Sequence, residues 1–173
     1  MEVFEAIKSR RSVRAFKPEP LKDGDLEKIL DAGRLAPSAG NCQPWNFVVV
    51  KDKGVKQDLA KAALGQSSVA EAPVAVVVCV DLTRAASRYG KRGKELYCIQ
   101  DTAAAVQNMH LAAVALGYGT CWVGAFEEGA VAKVINAPAD VRPVAIVPIG
   151  RPAQTPSPTP RLSLDEIVRK DTF

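Results

Sequence analysis

Arg10, Ser12 and Arg14 stand two residues apart in the run Arg10-Arg11-Ser12-Val13-Arg14. Side chains two apart share a face of an extended segment, so two guanidinium forks and a hydroxyl would converge there. Such a set suits a phosphate, whose several acceptor oxygens match the planar guanidinium donors. The same residues would also make an ordinary solvated basic segment after a helix. A second constellation is Pro37-Ser38-Ala39-Gly40-Asn41-Cys42-Gln43-Pro44-Trp45. Its prolines stiffen the loop, and Ser38, Asn41 and Gln43 offer both donors and acceptors. They could read the polar edge of a planar heterocycle or its sugar chain, or simply form a turn beside a packed tryptophan. The third, Gly117-Tyr118-Gly119-Thr120-Cys121-Trp122-Val123-Gly124, begins like a dinucleotide-binding glycine fingerprint. Trp122 occupies the third glycine position, and a helix precedes the glycines where that fingerprint requires a strand. These glycines instead suit a close approach of backbone to a flat ligand.

The usual tools of hydrolysis are missing. His110 is the sole histidine and falls on the apolar stripe of a long helix, which predicts a structural or interface role. No HExxH motif, paired-carboxylate pattern or phosphate-binding P-loop stands out, and no side chain is expected to be an obligate acid or base. Cys42, Cys79, Cys98 and Cys121 include no CxxC pair, which argues against zinc and a disulfide framework and for reduced thiols. Cys42 has no activating neighbour in sequence and reads as inert. Chemistry in such a chain has to come from a cofactor. The net charge of +4 is mild, and no basic run interleaves with aromatics, so nucleic acid is not an expected partner. The N-terminus lacks the apolar core of a signal peptide, and no apolar run could span a bilayer, which predicts a cytoplasmic protein without membrane contact.

The elements around these motifs read as a mixed fold in one domain, 1–173. Helices are expected over 2–9, over a segment with Asp23 as N-cap that ends before Pro37, and over 55–64, 95–117 and 127–136. Strands are expected at 47–50, 74–80, 119–124 and 143–149, with Pro148 placing the last at a sheet edge or strand end. Residues 82–94 read as a polar, basic connection. The long helix is small and apolar on several sides, which points to cover from a second subunit. Residues 152–160, PAQTPSPTP, form a proline-rich linker able to cross ~25–30 Å. The arm 161–173 beyond it carries Leu162, Leu164, Ile167 and Val168, a cluster suited to docking on the same subunit or a partner. Helices and strands without strict alternation favour α+β.

In order and spacing, SRRSVRAF, APSAGNCQPWNFVVV, EAPVAVVVC, YCIQDTAAAVQNMHLAAVALGYGTCWVGAF and the tail ending RLSLDEIV resemble the nitroreductase family over nearly the whole chain. The resemblance implies a central, mostly antiparallel sheet flanked by helices. It also implies an intertwined homodimer that exchanges its C-terminal arm and holds FMN at the subunit interface. It assigns Arg10, Arg11, Ser12 and Arg14 to the FMN phosphate and ribityl region, and Pro37, Ser38, Ala39, Asn41 and Gln43 to a contribution from the partner subunit. Backbone at Val123 and Gly124 would face the reactive flavin nitrogen, and Gln66 would contact the flavin. Arg161 and Arg151 compete for a further phosphate-binding role. The implied activity is ping-pong electron transfer from NAD(P)H to a small organic acceptor such as a nitroaromatic, quinone or flavin. The same scaffold also supports flavin-fragmenting and dehalogenating relatives, and a non-catalytic FMN store or redox sensor is a further alternative. Within 82–94, Arg84, Arg88, Lys91, Arg92 and Lys94 could favour NADPH through its extra phosphate, or merely form a solvated lid.

Overall fold

The computed structural model describes residues 1–173. Strands β1 (Trp45–Val50), β2 (Val74–Asp81), β3 (Gly119–Thr120) and β4 (Val141–Gly150) form one antiparallel sheet in the order β1-β2-β4-β3. Residues 74–80 of β2 are buried throughout. Because strand side chains alternate between faces, Ala75, Val77 and Cys79 enter one core and Val74, Val76 and Val78 the other. The first core is closed by α3 (Lys53–Ala62), α4 (Ser67–Glu71) and α7 (Glu128–Val134); the second by α2 (Asp25–Arg34) and α6 (Cys98–Ala115). Each fully buried valine stabilises the fold by about 1.5–3 kcal/mol, which explains the unbroken apolar run in a strand covered on both sides. The result is the α+β architecture expected.

Several boundaries differ from expectation for identifiable reasons. Gly24, at φ 76°, is the N-cap of α2 in place of Asp23. Asp25 turns inward, where its carboxylate accepts from the Tyr118 hydroxyl at 2.8 Å and from Lys28 Nζ at 3.1 Å. The Tyr118 bond, followed by Lys28, lowers the Asp25 pKa below its ordinary value. Residues 82–94 are not a loose connection: α5 (Leu82–Arg92) starts on an N-cap bond from Arg84 N–H to Asp81 and runs through a wide turn at 93–97 into α6. Gly90, at φ 51°, breaks α5 near its end.

Strand β3 covers only two residues, and beyond it Val123 rejoins the sheet through a lone bridge to Ile146. β4 is interior, not an edge. Alternation places the missing N–H of Pro148 on the same side as that of Ile146, in the gap between Thr120 and Val123 where no ladder bond is needed. Pro143 sits beside the register shift opposite Val78 and Cys79. No helix is long and apolar enough to cross a membrane.

The two ends of the chain flank this body. α1 (Val3–Ser9) leaves Val3, Phe4 and Ile7 more than half exposed. After the linker, α8 (Leu164–Ile167) is a short turn of helix with a capping box between Ser163 and Glu166. Leu162, Leu164, Ile167 and Val168 are all exposed on this subunit, from 51% to 73%.

Candidate functional site

The arginine run follows α1 as extended chain. Val13 N–H donates to the Thr120 carbonyl at 2.9 Å, and Ser12 forms a parallel bridge with Thr120. Val13 and Phe16 point into the protein. A Cβ on Gly119 would lie 2.6 Å from Val13 Cγ2, so glycine is what allows this close packing. With Val13 anchored, Arg10, Ser12 and Arg14 line an open cleft of about 510 Å³ together with Lys8 and Arg11. Its opposite wall is the tail, through Ser157, Pro158, Thr159 and Arg161.

None of Arg10, Arg11, Arg14 or Arg161 has a carboxylate partner within ion-pair distance. Arg11 donates to the Lys8 and Arg10 carbonyls at 2.7 and 2.9 Å, which ties it to the end of α1. Arg161 is oriented by the Thr159 hydroxyl at 2.6 Å. The guanidinium groups of Arg10 and Arg14 have no hydrogen-bond partner in the chain. Four uncompensated guanidinium groups around one opening make an anion site of high charge density. Arg151 does not line this cleft. It packs over the Tyr118 ring with 5.0 Å to the centroid, lies 3.9 Å from Glu19, and reaches toward the Gly117 carbonyl.

The second constellation lies elsewhere on the subunit, since no residue of 37–45 lines the arginine cleft. Its backbone is held from several directions. Ser38 Oγ accepts the Gln43 N–H at 2.9 Å, and Asp101 on α6 accepts the Ala39 N–H at 2.9 Å. Burial raises the Asp101 pKa above the ordinary carboxylate value, opposed by the Ala39 amide. Arg84 and Arg88 of α5 donate to the Gln43 and Gly40 carbonyls at 2.8 and 3.0 Å. Arg92 donates to the Tyr97 hydroxyl and Lys91 approaches Glu95, so most cations of 82–94 are engaged within the chain. Cys42 Sγ lies 3.6 Å from Ser87 Oγ.

The third constellation forms a separate patch. Val123 is buried, and its N–H and carbonyl are both bonded to Ile146 at 2.9 Å. Gly124 is exposed, and its N–H has no partner in the chain. It opens onto a cavity of about 380 Å³ that also meets Ile99, Phe126, Val144 and the Glu128–Arg142 pair. Gln66 braces this region, its amide nitrogen donating to the Ala63 and Ala125 carbonyls at 3.0 and 2.9 Å.

His110 links the first and third patches. Nδ1 lies 2.6 Å from Thr120 Oγ1, and the ring leans on Trp122 at 5.9 Å between centroids. Nε2 is buried with no partner. Burial, with a smaller push from Arg10, lowers the imidazole pKa to about 4. Burial likewise pushes the Cys79 thiol up to about 12 and raises Cys98 and Cys121.

Sequence reasoning missed Lys8, Thr159, Arg84, Arg88 and Asp101 as residues that build these patches. A helical reading of 82–89 would have flagged the two arginines, because they are four apart and share a face. Nothing local marked Asp101, whose partner lies 62 residues away.

The model of the nitroreductase family matches residues 7–79 and 64–151. A protein of Archaeoglobus fulgidus, provisionally named an NADH dehydrogenase/NAD(P)H nitroreductase, is 36% identical over 87% of this chain and 86% of its own. Nitroreductase A of Vibrio parahaemolyticus superposes with a TM-score of 0.91 at 29% identity, covering 100% of this chain and 77% of that one. The NADPH:FMN oxidoreductase of Vibrio harveyi, solved with NAD+, gives a TM-score of 0.91 at 27% identity over 99% and 77% of the two chains. The motifs, the sheet that carries them and the reach of these matches agree, and the chain belongs to the nitroreductase family.

Proposed function

We propose that this protein is an FMN-dependent oxidoreductase. It takes electrons from NAD(P)H and passes them to a small organic acceptor such as a nitroaromatic, quinone or flavin, in two successive half-reactions at one site. The observation that carries this reading is the arginine cleft, whose guanidinium groups lack carboxylate partners and whose hydroxyls are Ser12, Ser157 and Thr159. A flavin phosphate fits that chemistry, whereas an uncharged ligand would leave the cations facing one another. The relatives named for NAD(P)H and FMN support the donor and the cofactor.

FMN supplies the hydride acceptance and donation that no side chain here can provide. Arg10, Arg14 and Arg161 hold the phosphate, with Ser12 as a neutral donor and Arg11 fixing the end of α1. Arg151 braces Tyr118 instead. Gly124 presents its free N–H to the flavin ring, and Val123 sets its direction by fastening to Ile146. With its nitrogen committed to carbonyls, Gln66 has its own carbonyl oxygen left to accept from the ring. His110 is neutral near pH 7 and closed to solvent, so it shapes the site and moves no proton.

Pro37, Ser38, Ala39, Asn41 and Gln43 complete the site from a second copy of the chain, because within one subunit they stand apart from the cleft. The apolar residues left exposed at both ends of the chain, among them Phe4, Ile7, Leu162, Leu164 and Ile167, support that homodimer with an exchanged C-terminal arm. The test is a visible spectrum of the purified protein, followed by anaerobic addition of NADH and then NADPH, with the oligomeric state measured on the same sample. A yellow dimer that bleaches with a reduced nicotinamide is the expected result. A colourless monomer that takes up no added FMN refutes the reading.

A further inference from the structure

The loop 38–43 puts three residues in the left-handed region, which glycine and asparagine enter readily and glutamine does not. Gly40, Asn41 and Gln43 all have positive φ, at 55°, 57° and 48°. A glutamine holds that conformation only where its surroundings over-determine it, and such sites gather at ligand clamps. Two of the bonds that impose it come from α5. Arg84 Nη1 donates to the Gln43 carbonyl, while its Nη2 is fixed 3.2 Å from Asp81. Arg88 Nη1 donates to the Gly40 carbonyl. The contact is tight, since a Cβ on Gly40 would lie 2.7 Å from Arg88 Cδ and 3.0 Å from the Tyr89 ring. Ser38 and Asp101 hold amides on the loop's inner side. The Gly40 and Gln43 carbonyls are therefore drawn to α5, and Asn41, which follows Gly40 between them in the chain, is exposed.

We propose that Arg84 and Arg88 are positioning residues that clasp the Gly40 and Gln43 carbonyls, so that Asn41 and Gln43 are set to meet the flavin ring across the subunit interface. The inference rests on the proposed FMN site and adds how its loop is held. It also gives the basic helix a role other than binding a nicotinamide phosphate. The clasp acts on the ring, and the arginine cleft acts on the phosphate. The two roles therefore separate when riboflavin, which lacks the phosphate, is compared with FMN.

The test uses the full-length protein stripped of flavin, as wild type, R84A/R88A and R161A. Dissociation constants for FMN and for riboflavin are read from quenching of flavin fluorescence at physiological salt, with the oligomeric state and unfolding midpoint of each variant as controls. The clasp bonds lie within the chain, so their loss reaches affinity only as the cost of ordering Asn41 and Gln43 on binding, roughly threefold to tenfold for each side chain. R84A/R88A is expected to weaken FMN and riboflavin equally, by about tenfold or more, and to alter the absorption band shape of the bound flavin. R161A is expected to weaken FMN alone. R84A/R88K, which restores a cationic donor at position 88, is expected to recover part of the loss. Should the double variant fail to fold, Arg88→Ala alone is read in the same way, because it removes one of the two bonds and leaves the residues of the loop unchanged. Wild-type riboflavin affinity in the clasp variants overturns this inference and leaves the FMN site standing. A wild-type protein that binds neither flavin overturns both.

Discussion

Replacing His110 by glutamine should make the protein markedly more resistant to mild acid. The imidazole is 2% exposed, one nitrogen is held at Thr120 and the other is sealed without a partner. The native pKa is about 4, against about 6.5 in an unfolded chain. Above pH ~6.5 both states keep the ring neutral and the residue is indifferent to pH. As pH falls below that, the unfolded chain takes up a proton that the fold refuses, so stability is lost at up to ~1.4 kcal/mol per pH unit. The loss stops near the native pKa, after about 3 kcal/mol in all. That is a large share of a typical net stability of about 5–15 kcal/mol. Glutamine stays neutral and keeps a polar group near Thr120. Urea unfolding of wild type and H110Q at pH 7 and pH 4.5, at equal protomer concentration, should show the wild type losing about 2–3 kcal/mol more than the variant. Parallel losses in the two proteins would refute a buried, neutral His110.

Arg151→Ala, in contrast to Arg161→Ala, should leave the FMN dissociation constant near that of wild type and lower the thermal midpoint, because its partners are Tyr118, Glu19 and Gly117; a large loss of FMN with an unchanged midpoint would reverse the two roles. Gly119→Ala should destabilise by about 1–3 kcal/mol, since the new methyl would stand 2.6 Å from Val13; chemical denaturation of the two proteins measures the loss, and an unchanged midpoint would refute the close packing.

The central layer of the fold was legible because its physics is local. A seven-residue apolar run rich in valine, bounded by Pro73 and Asp81, reads as a strand covered on both faces, and the three- and four-residue steps within 95–117 read as a helix buried on several sides. α5 escaped notice although Leu82, Ala85, Ala86 and Tyr89 follow helical spacing, because two of the four are alanines and the intervening charges suggest a solvated loop. The interior position of β4 was hidden by its prolines: Pro148 is tolerated because β3 stops after two residues, and Pro143 sits at the register shift against β2. In the candidate site, alternation along 10–14 puts Arg10, Ser12 and Arg14 on one face, and all three line the cleft, where Arg11 joins them. Arg151 and Arg161 could not be separated in advance, since what distinguishes them is the return of the tail toward α1. The bonds from Asp101, Arg84 and Arg88 to the loop span tens of residues and leave no periodic trace.

One wall of the arginine cleft belongs to the beginning of the chain and the other to its end. An anion seated there would grip both termini at once and act as a removable cross-link around nearly the entire polypeptide. Because its binding needs both walls in place, it would tighten the molecule by mass action without touching a strand of the sheet.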